Sequence, residues 1–183
     1  MPAPAATGQR CQTRPVQPRR LVLVRHAQAA AGSVDAERPL TERGSRHAAA
    51  IGTWLDQAGV APDRVLVSPA RRARQTWQRA SARLPQHPQP VIDERILENT
   101  VAALLGAVQD TPDEVQTLAV VGHNPSIGEL AADLDDGQGV PAARREVEAG
   151  FPTGGVAVFQ LDAPFAAVVP GTARLQDFTV PGD

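Results

Sequence analysis

The sequence predicts an α/β fold, a three-layer αβα sandwich with a mostly parallel mixed sheet in a single domain, and three observations carry that expectation. The run Leu21-Val22-Leu23-Val24 is apolar at every position, the pattern of a central strand covered on both faces. Further apolar runs at Val65-Leu66-Val67 and Leu118-Ala119-Val120-Val121 are each followed by apolar residues at helical spacing, so strands and helices alternate along the chain. At 183 residues the chain suits one core and is short for two. Residues 1–18 carry Pro, Ala, Gln and Arg without an apolar stretch and read as a disordered tail rather than a secretory signal, which leaves 19–183 as the folded domain.

Taken in order, the first strand ends abruptly in Arg25-His26-Ala27. In open α/β sheets, ligands bind beyond the carboxyl ends of the strands, so a guanidinium and an imidazole there suggest an anion site. As a dipeptide alone, Arg25-His26 reads first as a solvated strand end beside a satisfied histidine. A loop of small and charged residues, Gln28 to Pro39, precedes a helix capped by Thr41, with Ala48, Ile51, Trp54, Leu55 and Ala58 as its apolar face and Gly59 and Pro62 as its stop. His47 on this helix reads as a partly exposed surface residue. The strand Arg64–Val67 then runs into Ser68-Pro69, which reads as an N-cap followed by proline at the first helical turn.

The helix after Ser68-Pro69 buries Ala73, Thr76, Trp77, Ala80 and Leu84, yet places Arg71, Arg72 and Arg74 in its first turns. Helix amino termini favour anions, so guanidinium groups there need solvent or an anionic partner. Arg72 lies four residues before Thr76, at the edge of the buried face, and is the one placed to reach inward. Arg71 and Arg74 read as a solvated face, and His87 in the loop Pro85 to Pro90 as surface. A short strand, Val91-Ile92, leads to the carboxylates Asp93, Glu94 and Glu98, and to a helix burying Val101, Leu104, Leu105 and Val108. Glu98 follows two apolar residues that should anchor it near the sheet.

A third strand, Thr117 to Gly122, ends in His123, with Asn124 as a cap and Pro125 opening a helix that buries Ile127, Leu130, Ala131 and Leu134. Residues 135–152 read as a flexible excursion with at most a short helical piece. Val156–Leu161 and Ala173–Val180 read as an antiparallel pair, the second alternating Leu175, Asp177 and Thr179 against Gln176, Phe178 and Val180.

Composition narrows the function. A formal net charge of -2 and the absence of a basic cluster argue against nucleic acid, and no stretch is long enough to cross a membrane. All 18 basic residues are Arg. The lone Cys11 permits no internal disulfide and, without a signal sequence, points to the cytoplasm. The four histidines lack ligand spacing for a metal, so neither metal nor cofactor is expected. Parallel strands would bring Arg25, His26, Arg72 and His123 to one edge, a set suited to a phosphoryl group.

Leu23-Val24-Arg25-His26-Ala27, Ser68 to Thr76 and Val121-Gly122-His123-Asn124-Pro125 together resemble the histidine phosphatase superfamily, in particular its small SixA-like phosphohistidine phosphatase branch. Leu40-Thr41-Glu42-Arg43-Gly44 and Pro152-Thr153-Gly154-Gly155 fit as well, and the resemblance spans about Arg20 to Val180. Ala27 stands where the Arg-His-Gly motif has glycine. The resemblance implies that His26 attacks phosphorus to form a covalent phosphohistidine, that Arg25, Arg72 and His123 bind the phosphoryl oxygens, and that no metal takes part. It also places Glu98, with Glu94 as a rival, where esterases of the superfamily keep a general acid. Larger members insert a covering segment after the strand matching Val91-Ile92, for which this chain has no room. An open site suits a phosphorylated protein, with phosphohistidine as first choice and a small phosphomonoester as alternative. A non-catalytic phosphate-binding protein is a third reading, against which the complete set of four residues counts. The sequence is silent on oligomeric state.

Overall fold

Alternation along the strands decides the layers. The computed structural model describes residues 18–182, so the expected tail, apart from residue 18, and Cys11 lie outside the described residues. In β1 (Arg19–Arg25), Leu21 and Leu23 face one side of the sheet while Val22 and Val24 face the other, and all four are buried. A loop containing a 3-10 turn (Asp35–Glu37) leads to α1 (Glu42–Gln57), whose start is fixed by Thr41 Oγ1 accepting from the Gly44 N–H at 2.9 Å. Strand β2 (Arg64–Val67) is followed by α2 (Arg71–Ser81), β3 (Val91–Ile92), the single turn α3 (Arg95–Glu98) and α4 (Val101–Gln109). Strand β4 (Thr117–Gly122), buried throughout, leads to α5 (Ser126–Leu134), α6 (Pro141–Ala149), β5 (Val156–Leu161) and β6 (Ala173–Thr179).

The sheet order is β3-β2-β4-β1-β5-β6, with β1 to β4 parallel and β5 antiparallel to both β1 and β6. Helices α1 and α2 cover the face carrying Val22, Val24, Val65 and Val121, where Ile51, Leu55, Trp77 and half-buried Trp54 pack. Helices α3 to α6 cover the other, against Leu21, Leu23, Leu118, Val120 and Phe159. This is the expected three-layer αβα architecture.

Local expectations fail in four places, each for a tertiary reason. The Ser68-Pro69 junction does not open a helix: α2 begins at Arg71 without a side-chain cap, because the Ser68 hydroxyl is engaged with His123 instead. Likewise Asn124 does not cap α5, which starts at Ser126; its amide donates to the Phe151 carbonyl at 2.9 Å. The alternation read in β6 changes phase at Gln176, where a bulge against β5 lets Leu175 and Phe178, three apart, both face the core. Residues 135–152, expected to be a flexible excursion, instead hold the nine-residue helix α6, docked on β6 with Ala143 and Val147 buried and the Val140 N–H on the Leu175 carbonyl.

Helices α1 and α2 approach backbone to backbone at one point. A Cβ added to Gly52 would lie 2.0 Å from the Ala80 carbonyl oxygen, a clash no side-chain rotation relieves. Because the opposed atom is backbone, the clash costs about 2–3 kcal/mol, so Gly52→Ala should be destabilised on balance despite the ~1 kcal/mol that alanine gains over glycine in a helix. Urea denaturation of the two proteins measures this, and an unchanged midpoint would contradict the close approach.

Candidate active site

The ends of β1, β2 and β4 are stitched together by backbone hydrogen bonds. Arg25 pairs with Gly122 in the ladder, and the His26 N–H continues it by donating to the Gly122 carbonyl at 3.0 Å. The Ser68 N–H donates to the Val121 carbonyl at 3.1 Å, which brings in the end of β2. Gly122 must be small: a Cβ there would meet Ile96 at 2.9 Å and Ile127 at 3.1 Å. From the other side, the turn after α6 clamps β1, since the Gly154 N–H reaches the carbonyls of Arg25 and His26 at 3.1 Å each. Gly154 has φ +77, and a side chain there would run into the His47 ring. His47 is thus half-buried beneath this turn.

At this junction a cleft of about 540 Å³ opens, with Arg25, His26, Arg72 and His123 all among its lining residues. Four of the sequence-selected residues therefore meet. The His26 ring lies 5.1 Å, centroid to centroid, from that of His123. His26 Nδ1 donates to the Ala27 carbonyl at 2.8 Å, which fixes the proton on Nδ1 and leaves Nε2 unprotonated. Arg72 Nε donates to that same Nε2 at 3.2 Å.

Arg72 is only 7% exposed and reaches inward as its helical phase requires. Its other nitrogens are held by Asp35: Nη1 donates to the backbone carbonyl at 2.6 Å and Nη2 to the carboxylate at 2.9 Å. Arg25 is turned into place by donating to the Phe151 carbonyl at 2.8 Å. His123 Nε2 and the Ser68 hydroxyl are 2.7 Å apart, and Ser68 also accepts from the Ala70 N–H. His123 Nδ1 has no partner among the described residues.

Both histidines are neutral at physiological pH. Burial lowers His26 from 6.5 to about 4; the cations Arg72, Arg25 and Arg38 add to this, while the hydrogen bond to Ala27 opposes it. Burial lowers His123 to about 3, helped by His26 and Arg72 and opposed by Asp35. Burial also lowers Arg25. The arrangement thus presents a nucleophilic ring nitrogen among guanidinium donors, as attack on phosphorus requires.

Glu98 is not brought in. It is exposed at the end of α3, and neither it nor Glu94 lines the cleft, although its neighbours Leu97 and Asn99 do. Asn99, unremarked in the sequence, adopts a left-handed conformation, donates to the Asn124 carbonyl at 2.7 Å and accepts from the Ser126 N–H and hydroxyl, so it caps α5 from a distance. The clue available was an asparagine directly after a one-turn helix. Asp35 and Arg38 also line the cleft, from a loop whose sequence offered no signal. Among the described residues, no group of three or more His, Cys, Asp or Glu could hold a metal ion, and no helix is long and apolar enough to cross a membrane.

Comparison with known proteins gives one family. The model of the histidine phosphatase superfamily (branch 1) matches residues 21–135. An uncharacterized protein of Mycobacterium tuberculosis is 38% identical over 161 residues, covering 86% of this chain and 99% of that protein. Phosphohistidine phosphatase SixA of Escherichia coli is 33% identical over 125 residues, covering 65% of this chain and 76% of that one. A solved structure from Nakamurella multipartitia, described as a candidate SixA, superposes with a TM-score of 0.80 at 31% identity, covering 92% of this chain and 99% of that one.

The buried histidines make stability depend on pH. Each is neutral when folded down to about pH 4 or 3 but takes up a proton near 6.5 when unfolded, so the unfolded state binds more protons in that window and stability falls as pH drops through it. Between pH 7 and 5 each should cost on the order of 2 kcal/mol. Urea denaturation at both pH values should show a smaller loss for His123→Asn than for wild type, and equal losses would contradict a buried neutral His123.

Proposed function

The chain belongs to the histidine phosphatase superfamily, and from that premise we infer that this histidine-type phosphatase works through a covalent phosphohistidine on His26 and removes phosphate from phosphohistidine in a protein. The observation that carries the inference is the orientation of His26: Nδ1 is tied to the Ala27 carbonyl, so Nε2 is unprotonated and, held by Arg72 Nε, stands in a cleft lined by three arginines and a second histidine. His26 Nε2 forms a bond to phosphorus as the leaving group departs; water then attacks the phosphoryl-enzyme and frees inorganic phosphate. Arg25 and Arg72 bind phosphoryl oxygens and His123 donates a hydrogen bond to another, which stabilises the charge of the transition state without a metal ion.

Two features support the phosphohistidine substrate. Only Asp93 and Glu94 separate β3 from α3, so nothing inserted at that point covers the cleft, and a side chain presented on a protein surface can enter. Neither Glu98 nor Glu94 lines the cleft, and Asp35, which does, is held ionised by Arg38 and Arg72, which argues against the general acid that an alkoxide leaving group requires. An imidazole, with an ordinary pKa near 6.5, takes its proton from solvent. The relatedness to phosphohistidine phosphatase SixA of E. coli points the same way.

Rapid mixing with a radiolabelled phosphohistidine protein, followed by denaturation, should trap acid-labile phosphate on wild type and none on His26→Ala. Arg72→Ala should keep its fold and lose roughly 10²- to 10³-fold in kcat. A chelator should leave turnover unchanged and vanadate should compete with substrate. Label on Ser68, or turnover by His26→Ala, would reject the mechanism. Glu98→Gln should change phosphohistidine turnover by less than about tenfold, because a larger loss is the mark of general acid catalysis.

A further inference from the structure

One guanidinium spans the cleft from floor to mouth. Arg72 Nε donates to His26 Nε2 at 3.2 Å while Nη2 donates to Asp35 Oδ2 at 2.9 Å. Among the described residues Asp35 is the only carboxylate lining the cleft, and its side chain is 65% exposed, whereas His26 and His123 lie buried at the floor. In an in-line displacement the leaving atom stands opposite the attacking atom. With Nε2 at the floor and phosphoryl oxygens ranged along the guanidinium, the leaving group occupies the mouth, beside Asp35.

Asp35 arrives there ionised. Arg38 Nη1 donates to Oδ1 at 3.0 Å and Arg72 to Oδ2, and these bonds hold its carboxyl below the ordinary range. The groups bonded to it are Arg38 from its own loop and Arg72 from α2, and Arg25, His26 and His123 line the same cleft. Glu37, in the same turn, is exposed and does not line the cleft. Each carboxylate oxygen keeps a lone pair beyond the one its arginine uses, so Asp35 can accept a further hydrogen bond but has no proton to give. Leu97, 38% exposed, lines the same cleft and offers an apolar surface to a flat ring.

Resting on the phosphohistidine reading above, we propose that Asp35 is a specificity-determining residue that selects an imidazole leaving group, accepting a hydrogen bond from the ring N–H distal to phosphorus and favouring the protonated ring. In the step itself the His26 Nε2–P bond forms as the substrate P–N bond breaks, and the bonding pair returns to the departing nitrogen. The proton on the distal nitrogen stays there, neutral imidazole leaves, and Asp35 gains no proton. An alkyl phosphate fares differently: its departing oxygen needs a proton Asp35 does not hold, and its growing negative charge is repelled by the carboxylate.

The test compares kcat/KM of wild type, Asp35→Asn and Asp35→Glu on a phosphohistidine protein and on an aryl phosphate, from pH 5 to 9. Asp35→Asn should lower the phosphohistidine-to-aryl ratio at least about tenfold, and the alkaline limb of its phosphohistidine profile should move down by about one pH unit as the ring proton is held less firmly. Asp35→Glu should restore part of the ratio. Equal losses on both substrates with an unmoved limb would overturn the proposal and reduce Asp35 to an anchor for Arg72. A wild type that turns over aryl phosphate but no phosphohistidine would overturn the functional reading itself, and this inference with it.

Discussion

The hydrogen bond from the His26 N–H to the Gly122 carbonyl extends the parallel β1–β4 ladder one residue past the regular strand, and the site depends on that extension. It sets His26 and His123 side by side at the ends of neighbouring strands, with rings 5.1 Å apart. Parallel pairing makes this possible: only strands running the same way deliver their last residues to one edge of a sheet. Gly122 on β4 and Gly154 on the turn after α6 allow the backbones to close around the junction, and the arginines then converge from β1 and α2.

Convergence of so much positive charge carries an electrostatic cost that neutral histidines reduce. Burial is the main reason the rings stay unprotonated, and imidazolium beside Arg25 and Arg72 would add repulsion to that cost. The charge state that packing favours is the nucleophilic one. Asp35 offsets the remaining excess by engaging Arg72 at two of its nitrogens, so the resting site is closed on itself by hydrogen bonds until an anion takes a share of them.

Much of this was legible in the sequence. Uniformly apolar strands required cover on both faces, and helical phase turned Arg72 inward while leaving Arg71 and Arg74 outside. What misled were groups with two local uses. Ser68 and Asn124 are good caps beside prolines, but each found a tertiary partner, His123 and the Phe151 carbonyl, that no local pattern encodes. The bulge at Gln176 broke an alternation that sequence alone presents as regular. Asp35 was illegible because its loop has no periodicity; its place is dictated by Arg72, 37 residues away. Glu98 failed for the opposite reason: the buried Ile96 does anchor α3 against the sheet, yet the turn of the helix faces Glu98 outward.

The two faces of the sheet also differ optically. Both tryptophans, Trp54 and Trp77, pack in the layer formed by α1 and α2, and the chain has no tyrosine. The layer of α3 to α6 is therefore dark to intrinsic fluorescence excited at the indole band. Emission follows the layer that carries Arg72 and is blind to loosening around Asn99 and α5. A fluorescence transition that parts company with one seen by circular dichroism would mark the two layers coming undone separately, and the single sheet between them as the seam.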